Sequence, residues 1–401
     1  MSGSALLQQR LVARLDERRN QHLLRQRRNV ASPQQPDVAI DERQLLSFCS
    51  NDYLGLANHP TVVAAFKRGL DEYGAGSGAS HLVTGHTTAH AALEEELAAF
   101  TGRSRALLFG SGFMANVGVL TTLPGDNDHI FEDKLNHASL LDGGRFCGAS
   151  FRRYPHLDIA RLEASLKAAE GDGLSFVVSD GVFSMDGDLV LLDELLRTAE
   201  RHNAVVMIDD AHGFGCLGAN GGGIVELARA QGVIVDEQRL PVLVGTLGKA
   251  FGTAGAFVVG SNDLIETLIQ FCRPYIYTTA LPAALAVATR ESLRIVQRET
   301  WRREHLHALV KRFRRGAAQL ALPLLDSPTQ IQAILLGSPD RALAASRQLE
   351  AQGILVTAIR PPTVPPGTAR LRITFSAAHT EQQVDQLLDA LMSLQLPELA
   401  A

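Results

Sequence analysis

Between residues 105 and 259, short apolar runs alternate with helical patterns, and that alternation limits the folds open to the chain. The predicted strands are Arg105–Phe109, His129–Glu132, Ser150–Tyr154, Ser175–Ser179, Ala204–Asp209, Val242–Thr246 and Gly255–Val259. Helical stretches such as LDELLRTAERHN (192–203) separate most of them. A crossover helix allows neighbouring strands to run parallel and covers a face of the sheet, so the pattern predicts an α/β fold with a mainly parallel seven-stranded sheet. The last pair breaks the rule. Fewer than ten residues join Thr246 to Gly255, too few for a parallel crossover, so Gly255–Val259 is expected to run antiparallel to its predecessor.

The pattern changes near residue 284. A long charged helix, about Ala284–Leu320, leads to short strands at Gln330–Leu336, Leu355–Ile359 and Ala369–Thr374 and a final helix from Thr380. PPTVPPG (361–367) is too proline-rich for a helix or a central strand. Near the N-terminus Leu7, Leu11 and Leu15 recur at helical spacing among arginines, the mark of an amphipathic helix docked on the protein. The expected division is an N-terminal helix and arm (1–60), a large domain (61–284) and a smaller C-terminal α/β domain (285–401), with the first packing on the last.

Composition excludes several classes. At 46% hydrophobic residues the 401-residue chain can bury a large core. No apolar run reaches the roughly 18 residues of a membrane span, and no signal-peptide core is visible near the N-terminus. Asp16 and Glu17 interrupt the basic run that a transit peptide would need. A net charge of −5 offers no global field for nucleic acid or anionic membrane. The four cysteines (Cys49, Cys147, Cys216, Cys272) form no CxxC pair, which speaks against a zinc site and fits a reducing, cytoplasmic setting; no metal is expected.

The candidate chemistry centres on Lys249, the single ionisable side chain of the glycine-rich link VLVGTLGKAFGTAGAFVVG (242–260). It is either a turn residue pointing into water or an amine that condenses with an aldehyde. In open α/β sheets, ligands bind beyond the carboxyl ends of the strands. Reading those ends gives GSGFMANVG, where Ser111, Gly112 and Phe113 stand at a helix start: a tight turn or a phosphate site. Asp209, in DDAHGFG, ends an apolar strand and needs a cationic or hydrogen-bonding partner there; a protonated pyridine nitrogen would serve. His212 follows, a residue of a kind more often structural. Ser184 and Asp186 lie in GVFSMDGD, His137 in DKLNHASL, and the Thr246 hydroxyl precedes Lys249. An amine, a carboxylate, two imidazoles, hydroxyls and a helix start at one sheet edge are the inventory for holding pyridoxal phosphate.

Seven collinear stretches carry a resemblance over nearly the whole chain: SNDYLGL (50–56), LFGSGFMAN (108–116), DKLNHASLLDG (133–143), GVFSMDGD (181–188), IDDAHGFG (208–215), TLGKAFG (246–252) and RPPTVPPGTARLRITFSA (360–377). The chain resembles the α-oxoamine synthase family of fold-type I pyridoxal-phosphate enzymes. The resemblance implies that Lys249 bears the Schiff base, Asp209 pairs with the ring nitrogen, His212 contacts the ring hydroxyl and His137 stacks on the ring. Gly112, Phe113, Ser184 and Thr246 would hold the cofactor, and Thr279 would reach the phosphate of a neighbouring subunit in a homodimer with a shared site. Arg372 is the match for the arginine that binds the amino-acid carboxylate, with Asn51 nearby.

Family members condense an amino acid with an acyl thioester and release carbon dioxide. AIRPPTVPPGTARLR and LDERRNQHLLRQRR most resemble the members that use L-alanine and a pimeloyl thioester carried by coenzyme A or acyl carrier protein, in which matches to Arg25 and Thr363 contact substrate. By itself Arg25 reads as one more solvated charge on a basic helix. The alternative within the family is glycine with acetyl-CoA or succinyl-CoA. Members that serve as silent partner subunits lack the lysine, whereas TLGKAFG is intact here. GAGSGAS (74–80), which could suggest a dinucleotide site, follows no strand and is expected to be a loop near the site.

Overall fold

Burial on both faces explains why the central strands read as unbroken apolar runs. In the computed structural model, which describes residues 2–394 apart from 22, 170 and 172, seven of them form one sheet. Counting from two N-terminal strands, β1 (Asp37–Ile40) and β2 (Arg43–Ser47), these are β3 (Arg105–Phe109), β4 (His129–Asp133), β5 (Ser150–Tyr154), β6 (Ser175–Asp180), β7 (Val205–Asp209), β8 (Val242–Thr246) and β9 (Ala256–Gly260). Their order is β3-β9-β8-β7-β6-β4-β5. Only β9 runs against the rest, pairing antiparallel with both β8 and β3, as the short link after Thr246 requires. Asp133, Asp180, Asp209 and Thr246 are the last residues of β4, β6, β7 and β8, so one sheet edge collects their polar groups.

The remaining strands are β10 (Ile331–Gly337), β11 (Ile354–Leu355), β12 (Thr357–Ile359) and β13 (Ala369–Thr374). They form two three-stranded sheets, β10-β13-β12 and β1-β2-β11. In the second, Ile354 and Leu355 pair in parallel with Leu46 and Ser47, which ties the N-terminal arm to the C-terminal region. Helix Ala283–Arg298 crosses helix Pro60–Tyr73 at Gly69, where a Cβ would lie 2.7 Å from the Ala284 Cα; only glycine permits that approach.

Three expectations need correction, and one helix is added. The long charged helix is two helices, Ala283–Arg298 and Trp301–Gln319. The break at Glu299–Thr300 contains neither Gly nor Pro; it is held by Arg303, whose guanidinium donates to the Val296 and Ala219 carbonyls. The predicted strand Leu355–Ile359 divides at buried Val356 between two sheets. Helix Pro339–Ala351, capped by Ser338, was not foreseen. The N-terminal helix, Gly3–Asn20, forms but does not dock: Leu7, Leu11 and Leu15 are 55%, 45% and 47% exposed, because its apolar stripe meets no core of this chain. Residues 395–401 lie outside the described residues. Among those described, no helix is long and apolar enough to cross a membrane.

Candidate functional site

At the carboxyl edge of the sheet, a cavity of about 170 Å³ is lined by Gly112, Phe113, His137, Ser184, Asp209, His212, Thr246 and Lys249, with Ser139, Asp180 and Ala211. The structure thus brings together eight of the residues named from sequence, drawn from five separate strand ends and the loops that follow them.

Asp209 forms the floor. Its Oδ2 accepts from Asn116 Nδ2 at 2.6 Å and its Oδ1 from the Ala211 amide at 3.0 Å, so a buried carboxylate is held in a fixed orientation. Asn116 is placed by helix Gly112–Leu120 and also donates to Ser139 Oγ at 2.9 Å. Asp180 is the cross-strand neighbour of Asp209. Burial, and then the proximity of Asp209, push its carboxyl well above the usual range, which favours its neutral form. One Asp180 oxygen accepts from the His137 amide at 2.9 Å and so fixes the start of helix Ala138–Phe146.

Lys249 is half-buried in the link after β8. Burial lowers its ammonium to about 8; Asp209 and Asp180 oppose that shift and Arg372 adds to it. An amine of this kind carries a larger neutral, nucleophilic fraction at neutral pH than an exposed lysine. The link is tight: Gly252 has φ 65°, and a Cβ there would lie 2.3 Å from the Ala57 amide nitrogen. The Thr246 hydroxyl donates to the Gly255 carbonyl at 3.0 Å, so it must rotate before donating to an anion.

His212 is buried and its imidazolium is strongly disfavoured, by burial first and then by Lys249 and Arg372. Its Nδ1 lies 2.7 Å from the Tyr53 hydroxyl, which also donates to Asn51 Oδ1 at 3.0 Å. With Tyr53 donating to Asn51, His212 donates from Nδ1, and its Nε2 is left as an acceptor. Arg372, on β13, donates from Nε to the Ser184 carbonyl at 2.6 Å and from both terminal nitrogens to Asn51 Oδ1 at 3.4 Å.

A second cavity, 660 Å³, shares His137 and Ser184 with the first and runs on to Arg25 and Thr363. Arg25 Nη2 donates to Thr363 Oγ1 at 3.4 Å across 338 positions of sequence. Thr279 is exposed and bridges Ser80, away from this chain's own Lys249 cavity. One sequence expectation falls elsewhere. GAGSGAS is a loop, but it packs on Thr279–Leu281 through Ser77 and Ala79 and lines neither cavity. Sequence reasoning passed over Tyr53, Asn116, Ser139 and Asp180. Tyr53, Asn116 and Ser139 stand inside quoted motifs, and Asp180 directly follows the predicted strand Ser175–Ser179, which was the available signal.

The residues at the first cavity fit pyridoxal phosphate. They supply an amine for its aldehyde, a fixed carboxylate for a ring nitrogen and an acceptor for a ring hydroxyl. The first amides of helix Gly112–Leu120 lack intrahelical partners, and a Cβ on Gly112 would meet no atom within 4 Å, so open space adjoins a helix start of the kind that suits a phosphate.

Comparisons with known proteins agree. Residues 43–391 match the model of the aminotransferase class I and II family. A relative from Pseudomonas putida named 8-amino-7-oxononanoate synthase is 60% identical over 381 residues, covering 95% of this chain and 96% of its own. One of the same name from Cellvibrio japonicus is 58% identical over 385 residues, covering 96% and 95%. A solved serine palmitoyltransferase from S. paucimobilis with a bound PLP–myriocin aldimine superposes with a TM-score of 0.89 at 29% identity over 96% of both chains. An 8-amino-7-oxononanoate synthase from Francisella tularensis superposes with a TM-score of 0.75 at 33% identity, covering 87% of this chain and 97% of that one. Fold, site and sequence therefore place this chain in the 8-amino-7-oxononanoate synthase family, a branch of the class I and II aminotransferases with the fold-type I architecture.

Proposed function

We propose that the chain catalyses the decarboxylative condensation of L-alanine with a pimeloyl thioester, carried by coenzyme A or acyl carrier protein, to give 8-amino-7-oxononanoate, carbon dioxide and free carrier. The observation that carries this reading is Lys249, its ammonium lowered to about 8, in one cavity with the anchored Asp209 carboxylate. The relatives' names supply the product, 8-amino-7-oxononanoate. Pyridoxal phosphate, when bound, supplies an electron sink for charge that develops at the amino acid's Cα.

The chain's own residues do the rest. Lys249 would hold the cofactor's aldehyde and, as a free amine, would take the proton from the amino acid's Cα and later return it. Asp209 keeps the ring nitrogen protonated, and Asn116 and the Ala211 amide keep Asp209 in place. His212, neutral and anchored by Tyr53, accepts from the ring hydroxyl through Nε2. Gly112, Phe113, Ser184 and Thr246 contribute amides and hydroxyls for the cofactor. Arg372 and Asn51 take the alanine carboxylate. His137 lines both cavities and so stands between cofactor and acyl donor, positioned to stack on the ring and to donate to the acyl carbonyl or the substrate carboxylate. Arg25 and Thr363 bind the donor at the far side of the larger cavity. Thr279, remote from its own cavity, serves the phosphate of a second subunit in a cytoplasmic homodimer.

In this reading residues 61–284 carry the cofactor, while the arm (1–60) and the C-terminal part (285–401) supply Asn51, Arg25, Thr363 and Arg372 from the opposite side. The test is product analysis with alanine and glycine, each against pimeloyl-CoA, pimeloyl acyl carrier protein and acetyl-CoA. Preferred turnover of glycine with acetyl-CoA would replace the assignment by the family's other amino-acid specificity.

A further inference from the structure

β13 presents two arginines to the same loop. Arg370 and Arg372 are two residues apart on one strand, so their side chains leave the same face. Both are buried, at 4% and 8% exposure. Arg372 reaches the Ser184 carbonyl; Arg370 forms an ion pair with Asp186, two residues further along the same loop, and donates from Nε to the Thr368 carbonyl at 2.9 Å. Arg370, Asp186 and Ser184 all line the larger cavity.

The loop itself is fixed at several points. The Gly187 carbonyl accepts from Ser327 Oγ at 2.8 Å and Thr329 Oγ1 at 2.9 Å, and a Cβ at Gly187 would lie 2.3 Å from the Ile331 carbonyl oxygen. His156 Nε2 meets Asp188 Oδ2 at 2.7 Å. Gly187 and Asp188 are therefore anchored without Asp186, and the Asp186 carboxylate has a separate task. Arg370 lines the larger cavity while Arg372 lies behind the Ser184 carbonyl, and two unmasked guanidiniums on one face would compete for any carboxylate that enters. One buried guanidinium without an anion is also costly.

We infer that Asp186 masks Arg370, so that Arg372 alone receives the amino-acid carboxylate, and that the Asp186–Arg370 pair sets the Ser184 carbonyl against which Arg372 is aimed. Asp186 and Arg370 are thus positioning residues that govern where the amino acid binds. This rests on the reading of Arg372 as the carboxylate's partner.

The test uses the full-length, cofactor-loaded protein and its dissociation constant for L-alanine, measured by spectral titration with no acyl donor present. Asp186→Asn is expected to weaken alanine binding about tenfold and to make acetate a competitor at concentrations that leave the wild type unaffected, because Arg370 is exposed as a second anion site. Asp186→Asn combined with Arg370→Met is expected to abolish acetate competition and recover most of the alanine affinity. A merely structural pair would give neither the new competition nor the recovery; thermal melting of each variant separates general destabilisation from this effect. Unchanged alanine affinity in Asp186→Asn, or a double variant no better than the single one, overturns the inference. Failure of wild-type protein to bind alanine at all would instead sink the proposed function.

Discussion

Glu132 offers a quantitative test of how this sheet edge tolerates charge. It is fully buried on β4, beneath helix Ala138–Phe146, where a Cβ on Gly144 would come within 2.8 Å of its Oε1. Neither carboxyl oxygen has a hydrogen-bond partner of good geometry. Burial pushes the carboxyl up to about 8 from an ordinary 4.5, with Asn136, Arg153 and Arg145 only partly offsetting it. Because the folded-state value is raised, the native protein keeps a proton that the unfolded chain releases above pH 4.5. The stabilisation is complete below that pH and is lost as pH rises through 8. A separation of about 3.5 units at 1.36 kcal/mol each corresponds to ~5 kcal/mol across the window. Glu132→Gln removes the ionisation while keeping the shape. The assay is urea denaturation of wild type and variant at pH 5, 6, 7 and 8, at fixed protein and cofactor concentrations, followed by circular dichroism. The variant should gain on the wild type by roughly 1 kcal/mol per pH unit. Parallel stability profiles for the two proteins would refute the argument, since no proton would then be linked to folding at this position.

Four further outcomes are expected. Lys249→Ala should lose more than ~10⁴-fold in turnover, because anchor and base vanish together, and should lack the visible band that borohydride bleaches in the wild type; retained turnover would remove the assignment. Asp209→Asn should still bind the cofactor, seen by its absorbance after gel filtration, while turnover falls by ~10²-fold or more; wild-type turnover would strip Asp209 of its role. Burial disfavours charge on His156, but the Asp133 and Asp188 carboxylates outweigh it and raise the ring to about 9. This raised value makes its contribution complete below pH ~6.5 and lost as pH passes 9, so His156→Gln should cost ~3 kcal/mol in urea titrations at pH 6.5 and little at pH 10. Arg25→Ala should raise KM for the pimeloyl thioester about tenfold with KM for alanine unchanged; equal effects on both substrates would place Arg25 outside the acyl site.

The central strands of the large sheet were legible in the sequence because they are continuous apolar runs bounded by helical patterns, and the reversal of β9 followed from the eight residues between Thr246 and Gly255; β1 and β2, short and partly exposed, carried no such signal. Lys249, Asp209, His212 and His137 were legible because strand ends in such sheets face the ligand. The break at Glu299 was not: no local residue enforces it, and it depends on Arg303 reaching the Val296 and Ala219 carbonyls. The exposed N-terminal helix was misjudged because periodicity reports an apolar stripe and not what covers it.

The order of residues along this chain by itself determined the layered α/β class, the antiparallel ninth strand and the amine at position 249, since those depend on periodicity, loop length and residue type, all local. Only the tertiary structure decided that Asn116 steers Asp209, that Tyr53 sets the His212 proton, that Arg25 meets Thr363, and that Asp186 neutralises Arg370 and not Arg372. Those pairings join residues far apart in sequence, and their strength comes from burial and from distances that exist only once the two ends of the chain have closed on the sheet.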